Sequence, residues 1–176
     1  MSVTLILGGA RSGKSRRAEC ITKSLDQRPV YVATAPFIDH DHEWLARIEK
    51  HRSDRGDEWQ LLEEELELSS LLQVHAVAGR AVLVDCMTLW LSNLMYAGRD
   101  IDSEVERFID LLPQLSGHVI MVANEVGMGL VPETPEGRSF RDAQGRLNQR
   151  LAAIADHVEF VAAGLPLRLK GDNIVC

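Results

Sequence analysis

The sequence predicts an α/β fold in which a mostly parallel central sheet is flanked by helices. Three observations support this prediction. Short apolar segments rich in β-branched residues alternate along the chain with segments whose apolar residues recur at helical spacing. The segment 81–84 is apolar without alternation, as a strand buried on both faces should be. A glycine-rich turn joins the first apolar segment to a helical one, as in a parallel βα unit.

The order of the elements follows from these patterns. Strands are predicted at 3–7, 30–33, 81–84, 119–123 and 158–162. Helices are predicted at 16–25, 43–52, 87–95, 103–112 and 140–155, the second of them from the spacing of Trp44, Leu45 and Ile48. Residues 127–137 contain three glycines and two prolines, which predicts a loop. Strands that alternate with helices in this way place ligands at the carboxyl ends of the strands.

Length and composition indicate one globular domain. The 176 residues correspond to about one domain at roughly 150 residues per domain. Apolar residues make up 45% of the chain and charged residues 26%, a globular balance. The net charge of −7 argues against a protein that wraps nucleic acid.

The same sequence shows no sign of membrane insertion or export. No apolar run approaches the roughly 18 residues of a transmembrane helix. The N-terminal segment lacks the charged start of a signal peptide, and the three cysteines form no CxxC pair. We therefore expect a cytoplasmic protein without a membrane span and without a disulfide framework.

The glycine-rich turn after the first strand fits the phosphate-loop pattern GxxxxGK[ST] at every fixed position. Glycines let the backbone turn its N–H groups toward phosphate oxygens, and the following helix adds the positive end of its dipole. Lys14 can reach the β and γ phosphates, and Ser15 can bind Mg²⁺. An ordinary glycine-rich turn is the alternative, but it would rarely match all these positions in this context. Residues 1–176 are therefore predicted to form a single P-loop nucleotide-binding domain, with phosphate contacts from Gly8, Gly9, Ala10, Arg11, Ser12, Gly13, Lys14 and Ser15.

An acidic residue at the end of another predicted strand can complete a magnesium site. Asp85 directly follows the apolar segment 81–84. A carboxylate at that edge of the sheet can hold Mg²⁺ directly or through water. Taken alone, Asp85 is better explained as the cap of the next helix, but beside a phosphate loop the metal role is favoured.

Two other strand ends could face a ligand. Ala33, Thr34 and Ala35 are small residues after the second strand, where they could let a ligand approach or simply form a turn. Asn124 and Glu125 end the fourth strand, where they could meet a substrate or cap a loop, and the pattern leaves both possibilities open. No guanine-reading NKxD segment occurs, so the pattern does not choose GTP over ATP.

His51 lies near the end of the predicted helix 43–52, among the basic residues Lys50, Arg52 and Arg55. An imidazole can attack phosphorus as a nucleophile, and adjacent cations would neutralise the phosphate that it attacks. A solvated basic helix end explains the same residues, and the pattern by itself favours that explanation.

Seven blocks of sequence, taken in order, carry a family resemblance. They are ILGGARSGKS at 6–15, YVAT at 31–34, ARIEKH at 46–51, VDCMTLW at 84–90, NEVGMGLVPE at 124–133, GRLNQR at 145–150 and AGLPLRLK at 163–170. Together they resemble the bifunctional adenosylcobinamide kinase / adenosylcobinamide-phosphate guanylyltransferase family of cobalamin biosynthesis. The phosphate loop is common to many families, whereas the blocks at 124–133 and 145–150 are far more specific.

The resemblance implies a RecA-like P-loop core, a homotrimer and two reactions on a corrinoid substrate. In the first, a nucleoside triphosphate, ATP or GTP, phosphorylates the aminopropanol hydroxyl of adenosylcobinamide. In the second, GTP transfers GMP to an enzyme histidine with release of pyrophosphate, and the phosphorylated corrinoid takes the GMP. The family's histidine corresponds to His51.

The resemblance also implies a set of nucleotide contacts. Besides the phosphate loop, they fall on Ala33, Thr34, Ala35, Arg52, Ser53, Asp54, Arg55, Glu63 and Asp85. The family often has Arg-Pro after its histidine, whereas here Arg55 is followed by Gly56.

Two other functions remain open from the residues alone. A P-loop kinase of another pathway would use Lys14 and Asp85 but would have no use for His51. A nucleotide-dependent switch would be expected to show a guanine motif or a partner surface, and the sequence shows neither. The residues suggest no base for the substrate hydroxyl.

Overall fold

The computed structural model describes residues 1–36, 58–172 and 174. Within these ranges the strands are β1 (Ser2–Gly8), β2 (Val30–Ala33), β3 (Gln60–Glu63), β4 (Ala81–Asp85), β5 (His118–Asn124), β6 (His157–Ala162) and β7 (Leu165–Lys170). The helices are α1 (Lys14–Leu25), α2 (Leu68–His75), α3 (Met87–Tyr96), α4 (Ile101–Leu111) with a 3₁₀ turn at Leu112–Gln114, and α5 (Pro135–Ile154).

The strands form one sheet in the order β3-β2-β4-β5-β1-β6-β7. Strands β1 to β6 pair in parallel, and β7 pairs antiparallel with β6 at the edge. Strand β1 lies inside the sheet between β5 and β6, and β4 lies beyond β5. The predicted α/β class, with a mostly parallel sheet flanked by helices, is confirmed.

Two apolar layers cover the sheet. On one face, α1 packs Ala18 and Ile21 against Leu83 of β4 and Val122 of β5. On the other face, α2 to α5 enclose the larger layer, in which the rings of Trp90 and Phe108 lie 5.0 Å apart between centroids. Burying a large apolar side chain of this kind contributes about 1.5–3 kcal/mol to stability. The layer on the α1 face fixes α1, and with it the loop that precedes α1, against the inner strands.

One helix boundary was predicted wrongly. Helix α5 begins at Pro135 rather than at 140, so the last residues of the predicted loop 127–137 are helical. Thr134 caps this helix: its side chain accepts a hydrogen bond from the Gly137 N–H, and Pro135 occupies the first helical turn. Proline and glycine at this point therefore belong to the start of a helix, where proline costs nothing because its missing N–H has no partner there.

Three elements were missed, and one prediction lies outside the described residues. Strand β3 is a short edge strand, and β7 carries Pro166, which is tolerated because β7 is also at an edge. Helix α2 is the third missed element. The predicted helix 43–52 falls in the part of the chain that the structure does not describe.

The cysteine spacing suggested no disulfide framework, but Cys20 is disulfide-bonded. None of the helices in the described ranges has both the length and the apolar character needed to cross a bilayer.

Candidate nucleotide site

Several strand ends meet at one edge of the sheet. Gly8 at the end of β1 pairs with Asn124 at the end of β5. Asp85 at the end of β4 pairs with Ala33 on one side and Val122 on the other. Because Val122 packs on the α1 face and side chains alternate along a strand, Asn124 faces α1 as well. The polar strand ends are therefore on the face where the phosphate loop leads into α1.

The backbone of the phosphate loop makes close approaches that exclude side chains. A Cβ on Gly8 would lie 2.5 Å from the Val161 carbonyl oxygen and 2.6 Å from Ser12 Oγ. Gly13 has a φ of +97°, in the left-handed region that favours glycine. The Ser12 N–H donates to the Gly9 carbonyl at 3.3 Å and closes the turn. These contacts explain why the pattern requires glycine at 8 and 13.

The first turn of α1 can bind an anion. Gly13 is the N-cap and supplies no side-chain acceptor, so the first backbone N–H groups of α1 are not capped by a side chain. Lys14 Nζ donates to the Gly9 carbonyl at 3.1 Å, which holds the ammonium over the loop. Ser15 follows in the same turn. A positive helix end and an ammonium at one point suit a phosphate group.

The turn between β6 and β7 supports this loop. The Gly164 N–H donates to the Ser12 carbonyl at 2.8 Å, and a Cβ on Gly13 would lie 3.1 Å from Gly164 Cα. Ala163 and Gly164 have φ of 52° and 81°, the left-handed pair of a two-residue hairpin turn. Sequence reasoning missed this contact because it missed β7, although the dipeptide at 163–164 is a weak turn signal.

Asp85 is held in place by a buried tyrosine. Tyr31 Oη donates to Asp85 Oδ2 at 2.8 Å. The Tyr31 ring is 1% exposed and packs edge-to-face on Trp59, with centroids 5.4 Å apart. Since the ring cannot move freely, its hydroxyl fixes the orientation of the carboxylate at the end of β4.

The next residue, Cys86, has a buried thiol that stays protonated at neutral pH. Burial, and then the negative charge of Asp85, raise the pKa of the Cys86 thiol to about 11. A thiol is a nucleophile only as the thiolate, so Cys86 is not a candidate for the covalent step.

At the end of β2, the Thr34 side chain has a structural role, and the small residues Ala33 and Ala35 lie on either side of it. Thr34 is fully buried, and its hydroxyl donates to the Cys86 carbonyl and accepts from the Cys86 N–H, both at 2.8 Å. Its side chain therefore joins the ends of β2 and β4. Ala33 and Ala35 are partly exposed and remain able to approach a ligand. Glu63, exposed at the end of β3, pairs with Ala33 at the same edge.

The structure thus brings most of the predicted residues to one edge of the sheet. The phosphate loop 8–15, the segment 33–35, Glu63 and Asp85 all lie at the carboxyl ends of neighbouring parallel strands. The remaining predicted residues lie outside the described ranges; they are His51, Arg52, Ser53, Asp54 and Arg55.

A chain of side-chain amides behind this edge was not predicted. Gln144 Nε2 donates to Asn148 Oδ1 at 2.8 Å, and Asn148 Nδ2 donates to the Asn124 carbonyl at 3.1 Å. Gln144 is fully buried, and Asn148 is nearly so. The only sequence signal is the spacing of two amide residues by four on one helix face.

Comparisons with known proteins agree on one family. A family model described as cobinamide kinase / cobinamide phosphate guanyltransferase matches residues 4–169. The chain is 44% identical over 172 residues to the bifunctional adenosylcobalamin biosynthesis protein CobP of Pseudomonas aeruginosa, with 97% of this chain and 98% of the relative covered. It is 38% identical over 181 residues to the bifunctional adenosylcobalamin biosynthesis protein CobU of Salmonella typhimurium, with 94% and 98% covered.

Solved structures with low identity share the fold. An ATPase from the type III secretion system of pathogenic bacteria is 10% identical with a TM-score of 0.60, and the match covers 95% of this chain and 56% of that one. The flagellar accessory protein FlaH from Methanocaldococcus jannaschii is 12% identical with a TM-score of 0.51, covering 97% and 79%. These likenesses support the P-loop architecture.

Proposed function

The chain belongs to the cobinamide kinase / cobinamide phosphate guanyltransferase family and is a bifunctional enzyme of adenosylcobalamin biosynthesis. We propose that its phosphate loop performs the kinase step. In that step the aminopropanol hydroxyl oxygen of adenosylcobinamide bonds to the γ phosphorus of a nucleoside triphosphate, ATP or GTP. The bond from that phosphorus to the bridging oxygen breaks, the hydroxyl proton is lost to solvent, and the nucleoside diphosphate leaves.

The observation that carries this proposal is the arrangement at the carboxyl edge of the sheet. Lys14 Nζ is held against the loop 8–15 at the N-terminus of α1, which no side chain caps, and Asp85 ends β4, which only β5 separates from β1. Phosphoryl transfer depends mainly on positioning and on stabilising the charge of the transferred group. An uncapped helix end and an ammonium supply that stabilisation.

The residues present fit a magnesium ion. The described residues contain no group of three or more His, Cys, Asp or Glu side chains that could hold a metal on their own. Mg²⁺ commonly uses one or two protein oxygens together with substrate phosphates, and the Ser15 hydroxyl and the Asp85 carboxylate are oxygen donors of that kind. We propose that these two residues hold Mg²⁺, which when bound neutralises charge on the phosphates.

For the second step we propose His51 as the GMP acceptor, on the strength of the family resemblance. The imidazole nitrogen bonds to the α phosphorus of GTP while the bond to the pyrophosphate oxygen breaks. A phosphate oxygen of adenosylcobinamide phosphate then displaces the imidazole. Residues 52–55, Ala33, Ala35, Glu63 and the backbone at Thr34 are proposed as further nucleotide contacts.

The direct test is to incubate the purified chain with adenosylcobinamide, GTP and Mg²⁺ and to identify the products by mass spectrometry. We expect adenosylcobinamide phosphate and then adenosylcobinamide-GDP. In the same assay, Asp85→Asn should lower the Mg²⁺-dependent rate by about 100-fold, while GTP binding measured without metal changes little. Absence of both corrinoid products from the unmodified chain would contradict the function, and equal losses of rate and metal-free binding would make Asp85 structural.

We also propose that the chain forms a homotrimer through β7. The side chains of Leu165, Leu167 and Leu169 are 73%, 61% and 57% exposed on this edge strand. Lys170 Nζ donates to the carbonyls of Ala152 and Ala153, which ties the strand to the end of α5. A rigid edge strand with a row of exposed leucines is a surface that favours association, and the family resemblance indicates that the partner is a second copy.

Replacing Leu167 with Lys should weaken this association, because it places a charge in the middle of the leucine row. Light scattering should give about three times the chain mass of 19.6 kDa for the unmodified protein and a lower mass for the variant. Val74→Lys is the control, since Val74 is 68% exposed on α2. A trimer that survives in Leu167→Lys would exclude this face as the interface.

A further inference from the structure

We propose that Asn124 contacts the transferred phosphoryl group and orients the attacking hydroxyl in the kinase step; this inference rests on the proposed function of the phosphate loop. Asn124 is the last residue of β5, the strand that separates β1 from β4. It therefore lies between the strand that leads into the phosphate loop and the strand that ends at Asp85.

The pairing register places Asn124 level with the start of the phosphate loop, where we propose that the transferred phosphate binds. Gly8, the first residue of the phosphate loop, pairs with Asn124. Asp85 pairs with Val122, two residues earlier on the same strand. On the α1 face, Asn124 thus lies two residues further along the strand direction than the Asp85 carboxylate. A phosphate bound between Lys14 and a substrate at this edge of the sheet would contact Asn124.

The backbone of Asn124 is fixed on three sides. Its N–H donates to Thr88 Oγ1 at 2.8 Å, and its carbonyl accepts from Asn148 Nδ2 at 3.1 Å. The following N–H, that of Glu125, donates to the Gly8 carbonyl at 3.1 Å. The amide of Asn148 is itself held by Gln144. This degree of fixation is what a residue needs if its side chain is to act at a defined point.

The side chain of Asn124 is left without a partner among the described residues. Its Oδ1 is buried and accepts no hydrogen bond. Buried amide groups are normally hydrogen-bonded, because an unpaired one loses its water contacts without compensation. A fixed backbone around an unsatisfied amide at the edge of a nucleotide site indicates that a ligand supplies the missing contacts.

The chemistry of an amide suits the transferred phosphoryl group. Nδ2 can donate to a γ-phosphate oxygen while Oδ1 accepts from the attacking hydroxyl, which aligns the two reacting atoms. The amide takes no proton, so its contribution is orientation and charge stabilisation. Gln144 and Asn148 are positioning residues that act through the backbone of Asn124.

The test compares the kinetics of Asn124→Ala and Asn124→Asp with GTP binding by the same variants. We expect kcat of the kinase step to fall by about 100-fold in Asn124→Ala and further in Asn124→Asp, which repels the phosphate. The Kd for GTP of Asn124→Ala should stay close to that of the unmodified chain. Asn124→Asp has the shape of the original residue, so it can be used for the kinetic test if Asn124→Ala does not fold.

The control is Thr22→Ala. The buried Thr22 hydroxyl donates to the Ala18 carbonyl within α1, so its loss should lower Tm while kcat for the folded protein is kept. An unchanged kcat in the folded Asn124 variants would overturn the proposal, as would parallel losses of kcat, GTP affinity and Tm in Asn124→Ala. The unmodified chain is assayed first. If it forms no phosphorylated corrinoid, the proposed function itself is contradicted, independently of the role of Asn124.

Discussion

Replacing Lys14 with Ala should lower kcat/KM of the kinase step by about 1000-fold while the protein stays folded. The ammonium is a positive charge of the phosphate loop, and it is held over the loop by its bond to the Gly9 carbonyl. In the transition state, charge on the transferred phosphoryl group is stabilised chiefly by such fixed positive groups. Alanine keeps the helix and removes that charge.

The stability cost of this change should be small. Lys14 lies in the first turn of α1, where alanine is a good helix former. The lost hydrogen bond to Gly9 is worth about 1 kcal/mol. Circular dichroism and a thermal melt should therefore give a folded protein with Tm lowered by a few degrees at most.

Lys23→Ala is the matched control, since Lys23 lies on the same helix and pairs with the exposed Glu58 far from the loop. It should keep normal turnover. Near-normal turnover in a folded Lys14→Ala protein would remove the basis for placing the nucleotide at this loop.

The phosphate site could be predicted from sequence because its determinants are local. The fixed positions at 8, 13, 14 and 15 are close in the chain, and the close approaches at Gly8 and the positive φ of Gly13 explain them. Asp85 could be found because the apolar run before it identifies a buried strand. In both cases one short segment of sequence is enough to identify both the structural element and the role of the residue.

What sequence reasoning missed depends on contacts between distant segments. Asn124 meets Asn148 across 24 positions, and neither residue type indicates burial by itself. The support of Ser12 by Gly164 required β7, whose proline and exposed leucines do not look like part of a central sheet. Thr34 is expected to be a nucleotide contact from the family resemblance, and the sequence pattern did not show that its hydroxyl joins two strands. Packing partners, which the sequence does not name, decide each of these roles.

His51→Ala should abolish covalent attachment of GMP to the enzyme. If His51 is the acceptor, GTP labelled at the α phosphorus should leave label on the unmodified protein and release pyrophosphate. A phosphorus–nitrogen bond to imidazole should survive alkali and break in acid, which distinguishes it from a serine ester. In His51→Ala both the label and the guanylyl transfer should fall to background.

The kinase step should persist in His51→Ala, because Lys14, Ser15 and Asp85 are unchanged and the first reaction needs no covalent intermediate. Accumulation of adenosylcobinamide phosphate without its GDP product would therefore separate the two reactions in one experiment. His75→Ala, which alters a histidine at the end of α2, is the control and should keep the label. A label that maps to another residue, or that remains in His51→Ala, would show that the acceptor is misassigned while family membership stands. Loss of both reactions in a folded His51→Ala protein would instead place the histidine in a nucleotide site that the two steps share.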